Sequence, residues 1–188
     1  MRNTALNHPH AMEQVILVNE YDETIGMMEK MQAHETAVLH RAFSVFIFNN
    51  SGEMLLQQRA GTKYHSAGLW TNACCSHPRP GEETIAAARR RLMEELGFDT
   101  ELKKIFHFTY KADFSNGLVE HEFDHVFTGG YSGNISPDAA EVSNYAYYPL
   151  PFIEDDLALN PEKYTAWFHI AFPKIKHWWQ LGMHNTNA

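Results

Sequence analysis

The stretch "EETIAAARRRLMEELG", Glu82 to Gly97, decides the fold that the sequence predicts. It is rich in Ala, Leu, Arg and Glu, which favour helix, and it follows Pro80 and Gly81 directly. It stops at a glycine, the residue that most often closes a helix in the left-handed conformation. We therefore expect one secure helix here, with the remaining elements arranged around it.

Strand-like runs lie on both sides of this helix. They are rich in β-branched and aromatic residues and are separated by turn signals such as "NNSGE". The runs are "EQVILVNE" (13–20), "RAFSVFIFN" (41–49), "MLLQQR" (54–59), "ELKKIFHFTYKAD" (101–113) and "VEHEFDHVFTGGY" (119–131). Strands around a central helix predict a mixed α/β or α+β layer fold.

A second helical region is predicted at 160–182, "NPEKYTAWFHIAFPKIKHWWQLG". Pro161 near its start suits a helix N-terminus, whereas Pro173 removes an internal donor and predicts a kink or break.

Size and composition indicate one globular domain. The chain has 188 residues, of which 44% are hydrophobic and 20% charged, and no linker divides it. We expect a domain over 13–188 preceded by a flexible segment, 1–12. No apolar run reaches the roughly 18 residues of a membrane span, so we expect a cytoplasmic protein without membrane contact, either a monomer or a weak homodimer.

The net charge of −8 argues against a nucleic-acid partner, which would need a basic face. It does not exclude an anionic small substrate. The Debye length is about 8 Å at physiological ionic strength, so a local cluster of Lys and Arg decides affinity at a pocket.

Two adjacent cysteines lie in "TNACCSHPRP", Thr71 to Pro80, and the chain has no others. They could form a disulfide, belong to a metal site, be buried as small residues, or include a nucleophile. A disulfide between neighbours is strained and improbable in a two-cysteine cytosolic chain, so none is expected. The residues alone leave the other readings open.

The segment "VEHEF" carries a possible metal site. Glu120 and Glu122 are two apart on a predicted strand and so share one face, while His121 points to the other. Two like charges on one face are unfavourable unless a cation lies between them.

The helix and its flanks carry a longer pattern. Seven residues have the spacing of the Nudix box, and the segment resembles that family: Glu82, Arg90, Leu92, Glu94, Glu95, Gly97 and Phe98. In that family the helix carboxylates hold Mg²⁺ against a diphosphate, a role suited to hard oxygen ligands. Ser76 replaces the first glycine of the box, and Arg91 replaces a glutamate. The loss of this carboxylate suggests a protein that binds a diphosphate without hydrolysing it.

Four motifs in order narrow the resemblance. "HRAFSVFIFN", "LLQQRA", "LWTNACCSHPRPGE" and "VEHEFDHVF" are similar to the type 1 isopentenyl-diphosphate isomerases, and the likeness runs from about Val15 to Trp167. The resemblance implies a Nudix fold with a mixed β-sheet core flanked by helices, an isoprenoid diphosphate substrate, and a double-bond shift through a tertiary carbocation. Such a reaction needs an acid and a base on opposite sides of the carbon chain in a dry pocket.

The resemblance also implies a role for particular residues. Cys75 and Glu122 match the catalytic pair, Tyr110 matches a tyrosine near the carboxylate, and Cys74 matches no catalytic position. Trp167 matches a tryptophan whose ring faces the cationic carbon.

Metal and substrate ligands follow from the same resemblance. It implies a five-ligand site for Mn²⁺ or Zn²⁺ made of His34, His40, His77, Glu120 and Glu122. Glu95 is expected to carry a Mg²⁺ that also touches the diphosphate. The diphosphate is expected to be held by Lys30, Arg59, Lys63, Ser76 and Arg91.

Two other functions stay open at this point. A Nudix hydrolase would depend on Glu94 and Glu95 and would tolerate Cys75→Ala. A non-catalytic metal- or diphosphate-binding module would turn over no diphosphate. The leading expectation is the isomerase, in the synthesis of isoprenoid precursors.

Overall fold

The computed structural model describes residues 13–63, 65–114 and 116–185, and the predicted flexible segment 1–12 lies outside them. Within these residues nine strands form one sheet: β1 (Gln14–Val18), β2 (Thr24–Glu29), β3 (His40–Phe48), β4 (Met54–Arg59), β5 (Trp70–Asn72), β6 (Cys74–Ser76), β7 (Lys103–Asp113), β8 (Val119–Gly130) and β9 (Val142–Tyr148). The helices are α1 (Lys30–Thr36), α2 (Thr84–Leu96), α3 (Leu150–Leu159) and α4 (Ala166–Asn185), with a 3₁₀ turn at Pro161–Lys163.

The centre of the sheet is β3. It runs parallel to β8, with His40 opposite Glu122, and antiparallel to β1, β4 and β6. The other strands are all antiparallel to their neighbours. Strand β2 pairs with β1, both β5 and β9 pair with β4, and β7 pairs with β8. The predicted mixed sheet is therefore confirmed.

Alternation along β3 divides the core between two layers. Phe43, Val45 and Ile47 pack with buried residues of α2, whereas Phe46 and Phe48 pack with α3 and α4. Because both faces of β3 are covered by helices, the strand is a continuous apolar run. Helices on both sides of the sheet confirm the expected fold class.

Most predicted elements match the structure within a few residues, and 54–59 is correct at both ends. Helix α2 begins at Thr84, two residues later than expected, because the Glu82 carboxylate accepts hydrogen bonds from the Arg79 amide and from Arg90. Gly97 closes α2 in the left-handed conformation, φ 73°, as predicted.

The sequence predicts a kink or a break at Pro173, and of these the break does not occur. Helix α4 continues through this residue, and the chain is interrupted earlier, between the 3₁₀ turn and Ala166. Phe172 and Ile175 are buried on either side of Pro173. Their packing against the sheet offsets the loss of one backbone hydrogen bond. Among the described helices, none is both long and apolar enough to cross a membrane.

Candidate active site

One cavity collects side chains from the ends of several elements. Residues that the resemblance had singled out line it from α1, α2, α4, four strands (β4, β6, β7 and β8) and the loops after β4 and β6. They are Lys30, His34, Arg59, Lys63, Cys75, Ser76, His77, Arg91, Glu95, Tyr110, Glu120, Glu122 and Trp167. His40 completes the set just behind this lining, at the start of β3. Residues that are 137 positions apart in the sequence therefore share one site.

The first part of the site is a buried group of three imidazoles and one carboxylate, His34, His40, His77 and Glu122, whose candidate ligand atoms lie within 4.8 Å of one another. His77 Nε2 is 3.0 Å from Glu122 Oε1, and His40 Nε2 is 3.6 Å from the same oxygen. The three rings are 5.0 to 5.7 Å apart between centroids. This group suits a divalent metal ion.

Hydrogen bonding prepares His40 to be a ligand. Its Nδ1 lies 2.8 Å from the Val38 carbonyl oxygen, which can only accept. The ring proton therefore belongs on Nδ1, and the lone pair of Nε2 faces the cluster. Within the described residues this buried Nε2 has no hydrogen-bond partner, as expected for a nitrogen that binds a metal. The donor set thus fits the implied metal.

Glu120 is next to the cluster but not within it. Tyr110 bridges the two carboxyl groups, with its hydroxyl 2.9 Å from Glu120 Oε2 and 2.7 Å from Glu122 Oε2. One hydroxyl has one proton to donate, so a proton on one carboxyl group is needed to complete both bonds. Burial and the charge of Glu122 raise the pKa of Glu120, which identifies it as the protonated partner. Its role as a fifth metal ligand stays a prediction.

The two cysteines face opposite sides of β6. Cys74 is fully buried with α2 in the core, while Cys75 is half-buried and lines the cavity. Both thiols are free, as expected. The Cys75 thiol donates to Asn72 Oδ1 at 3.0 Å and lies 3.5 Å from the Ser44 hydroxyl. Burial raises the pKa of the Cys75 thiol, so it is protonated at neutral pH.

A buried carboxyl group lies behind this thiol. Ser44 Oγ donates to Asp124 Oδ2 at 2.7 Å. Burial and the charge of Glu122 raise the pKa of Asp124 to about 8. Neither Ser44 nor Asp124 was predicted as a site residue, since Ser44 lies in an apolar run and Asp124 shares a strand with stronger candidates.

The second part of the cavity is cationic. Arg91 Nη2 is 2.7 Å from Glu95 Oε1, and Glu95 is buried, with a further hydrogen bond from Gln57 Nε2 at 3.0 Å. Arg59 lies over Trp167, 5.2 Å from the guanidinium carbon to the ring centroid. The positive charges that the sequence predicted near one pocket are therefore together.

Other cavity residues carried no sequence signal. Glu141 contacts two of the cations, and His65 stacks on Phe114 at 4.7 Å with its Nε2 3.5 Å from Glu120 Oε1. The sequence has twelve histidines, so His65 could not be distinguished before the fold was known. Glu141 lies in a loop outside every motif.

Comparison with known proteins agrees with this architecture. The NUDIX domain model matches residues 38–168. Among solved structures, DR0079 from Deinococcus radiodurans has a TM-score of 0.66 at 19% identity, covering 79% of this chain and 90% of that one. The MutT protein from Methanosarcina mazei Go1 has a TM-score of 0.61 at 20% identity, covering 74% and 94%. At such identities the likeness shows the fold alone.

Curated proteins give a closer likeness. The isopentenyl-diphosphate Delta-isomerase of Pectobacterium atrosepticum is 48% identical over 90% of this chain and 94% of its own. Those of Serratia proteamaculans and Burkholderia multivorans are each 49% identical, over 83% and 84% of this chain and 87% and 89% of their own. With the domain match and the cavity described above, these identities show that the chain belongs to the isopentenyl-diphosphate Delta-isomerase family of NUDIX-domain proteins.

Proposed function

We propose that this protein interconverts isopentenyl diphosphate and dimethylallyl diphosphate. One observation carries the proposal: a thiol and a carboxylate with different partners, Cys75 and Glu122, face a single cavity that is also lined by lysine and arginine side chains. An acid and a base beside a diphosphate-binding end are what the double-bond shift requires.

In the proposed reaction the terminal alkene carbon gains a proton, and the charge develops on the neighbouring tertiary carbon. Loss of a proton from the adjacent methylene forms the internal double bond, so one proton enters, another leaves, and the diphosphate stays intact. Cys75 and Glu122 exchange these protons, and Tyr110 orients Glu122 through their hydrogen bond. The face of Trp167 stabilises the cation, by about 2 kcal/mol or more in a desolvated site.

The diphosphate is assigned to Lys30, Arg59, Lys63, Arg91 and Ser76, because charge-assisted hydrogen bonds are about twice as strong as neutral ones. Mg²⁺ held by Glu95 would neutralise part of its charge. The His/Glu cluster would hold Mn²⁺ or Zn²⁺ and fix the position of Glu122. Arg91 pairs with Glu95 on this helix. A cation at this position supports a helix that binds the diphosphate over one that hydrolyses it.

Isotope uptake tests the proposal. In D₂O with isopentenyl diphosphate, the wild type should form dimethylallyl diphosphate that carries deuterium, without release of diphosphate or phosphate. Cys75→Ser and Glu122→Gln should each lower the rate by about 10²–10⁴-fold, the usual contribution of an acid or base.

Cys74→Ala is the matched control, because that thiol lies in the core, where it donates to Glu95 Oε1 at 3.4 Å, and not in the cavity. At saturating Mg²⁺ its deuterium uptake should fall by far less than that of Cys75→Ser. Cleavage of the diphosphate with the double bond unmoved would instead identify a hydrolase. A protein that neither isomerises nor cleaves isopentenyl diphosphate would be a binding module.

A further inference from the structure

Glu141 lines the cavity and pairs with two of its cations, and the proposed function gives no role to this carboxylate. Its Oε2 forms a direct ion pair with Lys63, and its Oε1 lies 3.3 Å from Arg91 Nη2. These are two of the cations assigned to the diphosphate. The glutamate is half-buried and lines the same cavity.

Backbone bonds hold Glu141 in this place. The Ala60 amide donates to the Glu141 carbonyl oxygen at 2.9 Å, and the Lys63 amide donates to the Ala60 carbonyl at 3.2 Å. On the other side the Glu141 amide donates to Asp138 O at 3.0 Å, and the Asp138 amide donates to Glu95 O at 3.0 Å. The loop is therefore tied both to the Lys63 turn and to the end of α2.

In this position the Glu141 carboxylate contacts the same cations that the proposed function assigns to the diphosphate. A diphosphate that contacts Lys63 and Arg91 must displace the Glu141 carboxylate from them or lie beside its negative charge. Either way the like charge lowers affinity for the diphosphate, by an amount that solvent screening limits because Glu141 is only half-buried. Glu95 differs from Glu141 in having Gln57 as a further partner and in being deeply buried.

We propose that Glu141 is an internal counter-ion that competes with the diphosphate for Lys63 and Arg91 and so weakens the binding of substrate and product. The pairing keeps the two cations oriented when no diphosphate is bound, and it assists departure of the product. This inference rests on the proposed function, which assigns these cations to the diphosphate.

The test is titration calorimetry of the full chain with inorganic diphosphate, with EDTA and with excess Mg²⁺. Glu141→Gln keeps the shape of the side chain but removes its charge, and it should tighten binding about three- to tenfold in both conditions. The KM for isopentenyl diphosphate should fall by a similar factor without a rise in kcat. A gain in affinity cannot result from a damaged fold.

Glu154→Gln is the matched control, because it also removes one carboxylate paired with a lysine, Lys176, but outside this cavity. It should leave diphosphate affinity unchanged; an equal gain would mean that net charge alone is responsible and would overturn the proposal. Unchanged or weaker binding in Glu141→Gln would overturn it too. Weaker binding only with Mg²⁺ would identify Glu141 as a metal ligand, which contradicts the counter-ion role.

Lys63→Met separates this inference from the proposed function. If Lys63→Met weakens diphosphate binding while Glu141→Gln does not strengthen it, the counter-ion proposal fails and the assignment of the cation stands. If Lys63→Met has no effect on binding, the assignment of Lys63 to the diphosphate fails, and the inference fails with it.

Discussion

At the scale of single residues, identical side chains acquire different chemistry from burial and partners. His40 is buried, and a backbone carbonyl oxygen fixes its proton on Nδ1. Burial lowers the pKa of His34 to about 3, and the charges of the neighbouring His77 and His40 act in the same direction on that ring. A neutral imidazole is the form that binds a metal ion, so the lowered pKa keeps the His34 ring in the required state.

His125 shows the same effect away from the proposed metal ligands. It is buried on β8, with Nε2 2.9 Å from Asp22 Oδ2, and Arg41, Lys104 and His107 complete its surroundings. Burial, Lys104 and Arg41 lower its pKa from 6.5 to about 4, although Asp22 acts in the opposite direction.

This shift predicts a pH dependence of stability. In the unfolded chain His125 binds a proton near its ordinary pKa of 6.5, whereas the folded chain binds it only near pH 4. Between these values the unfolded state holds more protons, so the free energy of unfolding falls as the pH drops. Urea unfolding of the wild type and His125→Gln between pH 7 and 4.5 should show a steeper fall for the wild type. Parallel curves would contradict the assignment.

At the scale of elements, α2 could be predicted because its signals are local: good helix formers, a preceding Pro-Gly, and a closing glycine. The shortest elements could not. Strands β5 and β6 have three residues each and exist because β4 and β3 lie beside them. Helix α1 and helix α3 also went unpredicted, and α1 carries His34.

The end of α2 gives a stability prediction. Gly97 has φ 73°, and a Cβ there would lie 2.4 Å from the Ser136 carbonyl oxygen. Gly97→Ala therefore combines backbone strain with a clash and should cost about 2–4 kcal/mol. Thermal or urea unfolding measures the loss.

Gly81→Ala is the control for this prediction. Gly81 has a similar φ, 78°, but nothing lies within 4 Å of the added Cβ, so only the backbone strain of about 1 kcal/mol is expected. Equal losses in both variants would show that the contact with Ser136 does not matter.

At the scale of the whole molecule, the candidate metal site joins a helix, two strands and a loop that are distant in the sequence. His34 lies on α1, His40 begins β3, His77 follows β6 and Glu122 lies on β8. An ion bound to all four would hold these segments together only in the folded state. Metal binding should therefore stabilise the entire domain.

Chelation measures this stabilisation. An ion at 100 times its Kd contributes about 2.7 kcal/mol, which corresponds to a rise in Tm of roughly 5–10 °C for a chain of this size. The Tm should rise with added Mn²⁺ or Zn²⁺ and fall with EDTA. His77→Ala should lose the shift, while His121→Ala, on the other face of β8, should keep it. A shift that survives His77→Ala would place the ion elsewhere.

The sequence motifs predicted most of the cavity because its chemistry is carried by reactive residue types in a recognisable order. Supporting residues could not be predicted this way. Ser44, Asn72 and Glu141 matter through contacts that form between strands and loops far apart in the chain. Their residue types are common, so only the fold distinguishes them from the other serines, asparagines and glutamates of the chain.

The brief pairing of β6 with β3 has one more consequence. Ser44 opposes Cys75 and Val45 opposes Cys74, so the pleat sends one sulfur to the cavity and its neighbour to the core. A slip of one residue would exchange the two sulfurs without altering the composition of the segment. The register of this three-residue strand therefore decides which cysteine faces the cavity. The amino-acid type alone does not decide it, because both residues are cysteines.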